Sequence, residues 1–471
     1  MKSANIKRSI IAITILTIVI SLAIFVYKNY SVNTVHKTQL SNTRGDIKTN
    51  DNIILATSKG NETNREYPLN DTCSPLIGLT ERENNNQSIS GTKGLEKSHN
   101  SELNKRIPLV INIHLKLQAP IETILDIYKK ELGADEIIVS VMDSETGKIL
   151  VLATSNRFNP NSIKTSDSQY LNNNAIELEY EPGSVIKPLT IALALEKNKI
   201  KITDEFSALN YGKKNKDGEY PNGIMEIGQW NISDHQQFKK HTLTIEDIIT
   251  RSSNIGTVQI ARELSGKEIL DGFNQFGITR KTGIELLDEK VGNLPTLAQV
   301  SAGELSGNLN IFKSTISYGQ GVRTTFMQLL KAYNVFNNNG NIISPSIIKT
   351  SLASPQEKVL SDETTNIMKD LLIKTVDKEN GHNPTIQGLE IGGKNGTANI
   401  FMDGKYQQKY ISSFFGFVND KERKYTIGVA VNNPTCKGKK WYYYHASNSS
   451  VPVFQKVVGI MIKNDYLKQS K

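Results

Sequence analysis

The chain has 471 residues, 38% hydrophobic and 22% charged, so most of it is expected to fold, with room for two or three domains and a buried reaction site. Its net charge is +9, but no dense basic block interleaved with aromatics is present, which argues against nucleic acid and for solubility and attraction to an anionic surface. Two cysteines lie far apart, Cys73 and Cys436, with no Cys/His cluster; this argues against a structural zinc site, and the pair is either one disulfide of an oxidising compartment or two unrelated thiols.

In chain order, residues 1–8 read as a cytoplasmic tail carrying Lys2, Lys7 and Arg8. The uncharged run Ser9 to Tyr27 has the length of a transmembrane helix. A cleaved signal peptide fits less well, because the run is long and its end lacks a small-residue cleavage pattern. The expected topology is therefore single-pass in the inner (plasma) membrane, with the rest of the chain extracytoplasmic. Residues 28–105 are polar and Asn/Ser/Thr-rich, the composition of a linker or loosely ordered module. From there the texture changes. Val110 to Leu115 alternates in part, as a strand does. Ile121, Ile124, Leu125 and Tyr128 follow at helical spacing. Ile137 to Met142 and Lys148 to Ala153 predict two strands around the turn Asp143–Gly147. A helix-rich middle spans about 184–370. Strands resume at Ile411 to Val418 and Tyr425 to Val431, and Val451 to Ile462 predicts a final helix. Strands at both ends with helices between them predict an α+β domain over 106–471, its sheet joining the two ends of the chain.

Three short motifs carry chemistry. In Ser184-Val185-Ile186-Lys187, after Pro182-Gly183, a helix is expected to start at the serine, which puts Ser184 and Lys187 one turn apart on one face. A serine hydroxyl needs a base to become a nucleophile. A buried lysine loses its proton easily enough to be that base, and the helix start offers a backbone N–H for an oxyanion. In Ser252-Ser253-Asn254 the first hydroxyl can relay a proton to a leaving amine and the amide can hold a substrate amide. In Lys394-Asn395-Gly396-Thr397, after Gly392-Gly393, the glycines permit close approach of a substrate backbone, and the lysine supplies positive charge for a carboxylate. Each motif alone also fits an ordinary structural role: a helix cap with an exposed lysine, a polar loop, a glycine-rich turn. The three together are far more specific.

S-x-x-K, S-D-N and K-T-G mark penicillin-binding proteins and class A β-lactamases, and this chain resembles the class B penicillin-binding proteins, the monofunctional peptidoglycan D,D-transpeptidases of division and elongation. The likeness extends to Ile316–Gly321 with Gln328-Leu329 and Asn338–Gly340, to Ser413–Phe417 and to Pro452–Phe454. Arg44–Ile47, Arg65–Pro68 and Gly94–Glu96 resemble the boxes of the family's N-terminal pedestal, here cut short within 28–105. The resemblance implies a penicillin-binding/serine β-lactamase-like fold, an antiparallel sheet packed between helices. It implies Ser184 as nucleophile, Lys187 as general base, and Ser252 with Lys394 as the route for the proton to the departing D-Ala. Asn254, Asn395, Gly396 and Thr397 would bind substrate, with the N–H groups of Ser184 and Thr397 as oxyanion hole. Substrates would be peptidoglycan stem peptides, with β-lactams as mimics. No metal or organic cofactor is implied, and the membrane partner would be a polytopic glycosyltransferase.

The family has Thr or Ser where this chain has Asn395. Asn still donates a hydrogen bond, with different reach, so carboxylate binding is where a departure from the family is expected. Two other readings use the same residues: a D,D-carboxypeptidase, in which water takes the acyl group, and a weakly active scaffold of a wall-synthesis complex. The pedestal-like boxes argue against a β-lactamase, and the single span argues against a penicillin sensor.

Overall fold

A computed structural model describes residues 44–58, 64–82, 89–307, 310–350, 354–378, 386–402, 404–435 and 444–469. The membrane anchor expected at Ser9 to Tyr27 lies outside the described residues, as does Cys436. Among the described residues no helix is long and apolar enough to cross a membrane. Cys73 is a buried free thiol.

Helix α1 (Leu115–Leu132) precedes strands β1 (Glu136–Asp143) and β2 (Ile149–Thr154). The helix-rich middle contains α2 (Lys187–Glu196), α3 (Asn254–Glu263), α4 (Phe326–Asn337) and α5 (Asp362–Lys378). Then come β3 (Glu390–Met402), β4 (Lys405–Asn419), β5 (Lys424–Asn432) and α6 (Ser450–Lys463). The five strands form one antiparallel sheet in the order β3-β4-β5-β1-β2. The sheet thus joins the two ends of the domain, as the strand pattern predicts.

Alternation along the strands decides which face each side chain serves. Ile137, Val139 and Val141 of β1, with Tyr425, Ile427, Val429 and Val431 of β5, pack under Leu117, Ile121 and Leu125 of α1 and Phe454, Val457 and Met461 of α6. On the opposite face Ile138, Met142 and Leu152 join Phe415 and Phe417 against the middle helices. There β5 turns small: a methyl on Gly428 would lie 2.8 Å from the Phe326 ring of α4, so the glycine lets that helix sit on the sheet.

Two expectations are corrected. The described residues from Arg44 onward form a built module rather than a loose linker. A four-stranded sheet is formed by Arg65–Glu66, Ile54–Ser58, Ile47–Lys48 and Leu109–Val110, so the strand just after residue 105 still pairs within it. Its centre is the fully buried Glu96, bound by Arg44 (Nε 3.0 Å, Nη2 2.9 Å) and Arg65 (Nε 2.7 Å). The polarity of the segment hides an ion cluster rather than a solvated chain. The strand expected over Val110 to Leu115 stops at Val110. Asn112 leaves the ladder, its N–H donating to Ile347 O (2.7 Å) and its amide to Ser346 O and Ile348 O (both 3.1 Å). The middle is rich in helices, as expected. A hairpin, Ile224–Ile227 with Trp230–Ser233, sits inside it, its Met225, Ile227 and Ile232 packing on Ile255 and Val258 of α3.

Candidate active site

Ser184 lies in a 3-10 turn, Gly183–Ile186, and α2 begins only at Lys187. The reason is Pro188: it has no N–H to give the Ser184 carbonyl at helical spacing, so Lys187 N–H takes that carbonyl one residue early. The serine and lysine still sit within one turn. Gly183 has φ +60°, and Gly183 N–H donates to Gly319 O (3.0 Å). Tyr333 of α4 donates its hydroxyl to Val185 O (2.6 Å) and Thr190 donates to Ser317 O (2.8 Å). The turn that carries the nucleophile candidate is therefore braced from behind by the 316–321 segment and by α4.

Lys187 has no exposed surface. Its Nζ donates to Ser252 O at 2.5 Å and to Ser252 Oγ at 3.1 Å. Burial and the charge of Lys394 hold its ammonium well below the ordinary lysine range, against the opposing pull of Asp234. Ser252 reaches it from a left-handed backbone conformation, φ +57°. Ser253 caps α3, accepting Gly256 N–H (2.9 Å), and Asn254 opens the helix with its amide donating to Ser233 O (2.9 Å).

The third side is β3, an edge strand of the sheet. A methyl on Gly396 would lie 2.9 Å from Val185 Cγ1, 3.0 Å from Val185 N and 3.3 Å from Ser184 N, so bare backbone faces the start of the nucleophile turn. Thr397 Oγ1 accepts the N–H of Ala446 (3.2 Å). Lys394 is 1% exposed, and its Nζ donates to Asn395 O (3.0 Å) and Asn395 Oδ1 (2.8 Å). The amide carbonyl of Asn395 is thus turned to the lysine, and its NH2 is the donor end of the same side chain.

All eight residues singled out in the sequence, Ser184, Lys187, Ser252, Asn254, Lys394, Asn395, Gly396 and Thr397, therefore lie on the three elements that meet here. The sequence reading missed Asp234, 2% exposed, whose carboxylate accepts the N–H groups of Asn254 (2.5 Å) and Ile255 (3.1 Å) and the hydroxyl of Ser253 (2.8 Å). It also missed His235, whose pKa is lowered by burial and by the charge of Lys187. An isolated acid 18 residues before a motif leaves no spacing signal. Among the described residues no cluster of three His, Cys, Asp or Glu side chains could hold a metal ion. The arrangement offers a hydroxyl, a dehydrated amine, a relay hydroxyl and a backbone edge, the parts needed for acyl transfer through a serine ester.

Residues 137–459 match the family described as the penicillin binding protein transpeptidase domain. Over 333 residues the chain is 28% identical to the probable peptidoglycan D,D-transpeptidase PenA of Neisseria flavescens, covering 70% of this chain and 75% of that one. Over 435 residues it is 28% identical to the peptidoglycan D,D-transpeptidase FtsI of Buchnera aphidicola, covering 86% and 71%. The crystal structure of penicillin binding protein 3 of Mycobacterium tuberculosis superimposes with a TM-score of 0.75 at 21% identity, over 91% of this chain and 97% of that one. The ampicillin complex of the same protein gives 0.75 at 21%, over 91% and 96%.

Proposed function

This chain belongs to the penicillin-binding protein transpeptidase family, and from that premise we propose how its residues perform peptidoglycan D,D-transpeptidation. It is a class B penicillin-binding protein, a serine-type enzyme of cell-wall crosslinking. Ser184 Oγ attacks the carbonyl of the penultimate D-Ala of a stem peptide; the bond to the terminal D-Ala breaks and a serine ester forms. Lys187 takes the hydroxyl proton, and Ser252, beside Lys394, passes it to the departing amine. The N–H groups of Ser184 and Thr397 stabilise the oxyanion. Asn254 holds the substrate amide, and Asn395 with Gly396 lines the strand on which the peptide lies. An amine of a second stem peptide then attacks the ester, and its proton returns to Ser184 Oγ by the same route.

One observation carries this reading. Lys187 directs two N–H bonds to Ser252, at 2.5 and 3.1 Å. A neutral amine has two hydrogens and one lone pair, so the lone pair is what remains to accept the proton of Ser184 one turn away.

The reading carries with it an anchor at Ser9 to Tyr27, a catalytic domain outside the cytoplasm, β-lactams as acylating mimics and a polytopic glycosyltransferase as neighbour. The test is labelling with a fluorescent penicillin. The parent protein is expected to form a covalent adduct and Ser184→Ala none; an adduct that survives the substitution refutes the assignment.

A further inference from the structure

Asp234 has no part in the reaction as written, yet the hydrogen bonds its carboxylate accepts come from the segment that carries the second motif. It stands at the end of the hairpin Ile224–Ile227/Trp230–Ser233, whose apolar side packs on α3. Asn254 and Ile255 are the first two residues of α3, and their N–H groups have no partner within the helix. Asp234 Oδ1 accepts both, at 2.5 and 3.1 Å, while Oδ2 accepts the Ser253 hydroxyl at 2.8 Å. Ser253 itself accepts the third N–H, that of Gly256. A local cap would be enough to start a helix. Here a carboxylate from about 20 residues away ties three consecutive residues in addition to that local cap, and the residue just before them is Ser252, held at φ +57°, a conformation a serine rarely adopts unaided.

We propose that Asp234 is the positioning residue of the second motif: its buried carboxylate fixes the 253–255 backbone so that Ser252 presents both its carbonyl and its hydroxyl to Lys187, and Asn254 faces the cleft. The inference rests on the site assignment above and deepens it. Asp234 does not touch the reacting atoms; it acts through Ser252. A displacement of the Ser252 hydroxyl by 1 Å would break a 3.1 Å contact and disturb proton transfer. The same carboxylate is a negative charge that acts on the buried lysine. The titratable groups around Lys187 are Asp234 and His235 beside the hairpin and Lys394 on β3, with His445 next to His235. Of these Asp234 alone favours the protonated lysine, so its charge and its hydrogen bonds have separable effects.

The experiment is the second-order rate of acylation by a fluorescent penicillin, measured against pH on the full chain. The variants are Asp234→Asn and Ser253→Ala, with Ser184→Ala as control and thermal melts to check folding. Asp234→Asn keeps the size of the side chain and one acceptor oxygen. Its plateau rate is expected to fall about tenfold or more, and its acid limb to move to lower pH, because a lysine without the neighbouring carboxylate gives up its proton more readily. Ser253→Ala removes one tie and leaves the charge: the plateau falls and the limb stays. A role in folding alone would lower the plateau of both variants only in proportion to the folded protein lost in the melts. The proposal is overturned if Asp234→Asn keeps a plateau within about twofold of the parent, or if its limb stays or moves up. Should Asp234→Asn fail to fold, Ser253→Ala decides, and an unchanged plateau overturns it. If Ser184→Ala still labels, the site assignment itself has failed; if that control is silent and Asp234→Asn behaves as the parent, only the role of Asp234 has.

Discussion

A lysine with no exposed surface either finds partners for its charge or gives up a proton. Lys187 is in that position, with a second buried lysine close enough to repel it. If it is the base, acylation requires its neutral form, so the rate should climb with pH through a pKa depressed from the usual value of about 10.4 and level off well below it. A rate flat from pH 5 to 10, or falling across that range, would contradict the assignment. Asn395 carries a second expectation. Its amide oxygen is turned to Lys394, whereas a threonine would offer a short hydroxyl to a substrate or β-lactam carboxylate. Asn395→Thr should therefore raise the acylation rate by about tenfold, a hydrogen bond to a charged group contributing roughly 1.5–3 kcal/mol. An equal or slower rate would mean that the amide already serves the carboxylate.

At the scale of elements, the site depends on how close an edge strand can come to a tight turn. Gly396 has no positive φ to defend, so its backbone would accept alanine; the objection is the added methyl, 3.0 Å from Val185 N and 3.3 Å from Ser184 N. Gly396→Ala should push β3 off the turn and lower acylation by about a hundredfold, with a much smaller fall in melting temperature. A loss of rate no greater than the loss of folded protein would refute that account. Much of this arrangement was legible in the sequence. Ile137 to Met142 and Tyr425 to Val431 have the apolar continuity of central strands, and the motifs gave eight residues that the fold assembles. Other parts could not be read. The 3-10 start of α2 follows from a missing N–H rather than from any periodicity. The hairpin before the second motif has only two short strands, and only its contacts with α3 give it a purpose. The order of the N-terminal module is hidden because its centre is Glu96 with two arginines, a burial no hydropathy pattern reveals.

Across the whole molecule, the N-terminal module and the catalytic sheet meet at Glu122. This carboxylate of α1 accepts Cys73 N–H (3.0 Å) and the Gln118 amide (2.8 Å), with Arg157 Nε at 3.8 Å; Arg157 also holds Asp71 (3.2 Å) and Asp126 (2.6 Å). Burial raises its pKa from 4.5 to about 7, against the opposing effect of Arg157. Between those values the folded state binds a proton that the unfolded chain releases. Its contribution to stability is therefore greatest in acid and is lost as pH rises towards 7, by up to about 3 kcal/mol. Glu122→Gln, neutral at every pH, should flatten that fall in chemical denaturation between pH 5 and 8; an unchanged slope would show that Glu122 is not its source. The sheet order has a consequence in time. One of the two strands beside β1 is β5, nearly 300 residues later in the chain, and the edge that faces Ser184 is also made late. A chain emerging from a ribosome therefore holds Ser184 long before it has the strand that faces it. The approach of Gly396 to the Ser184 turn can form only when the last strands arrive.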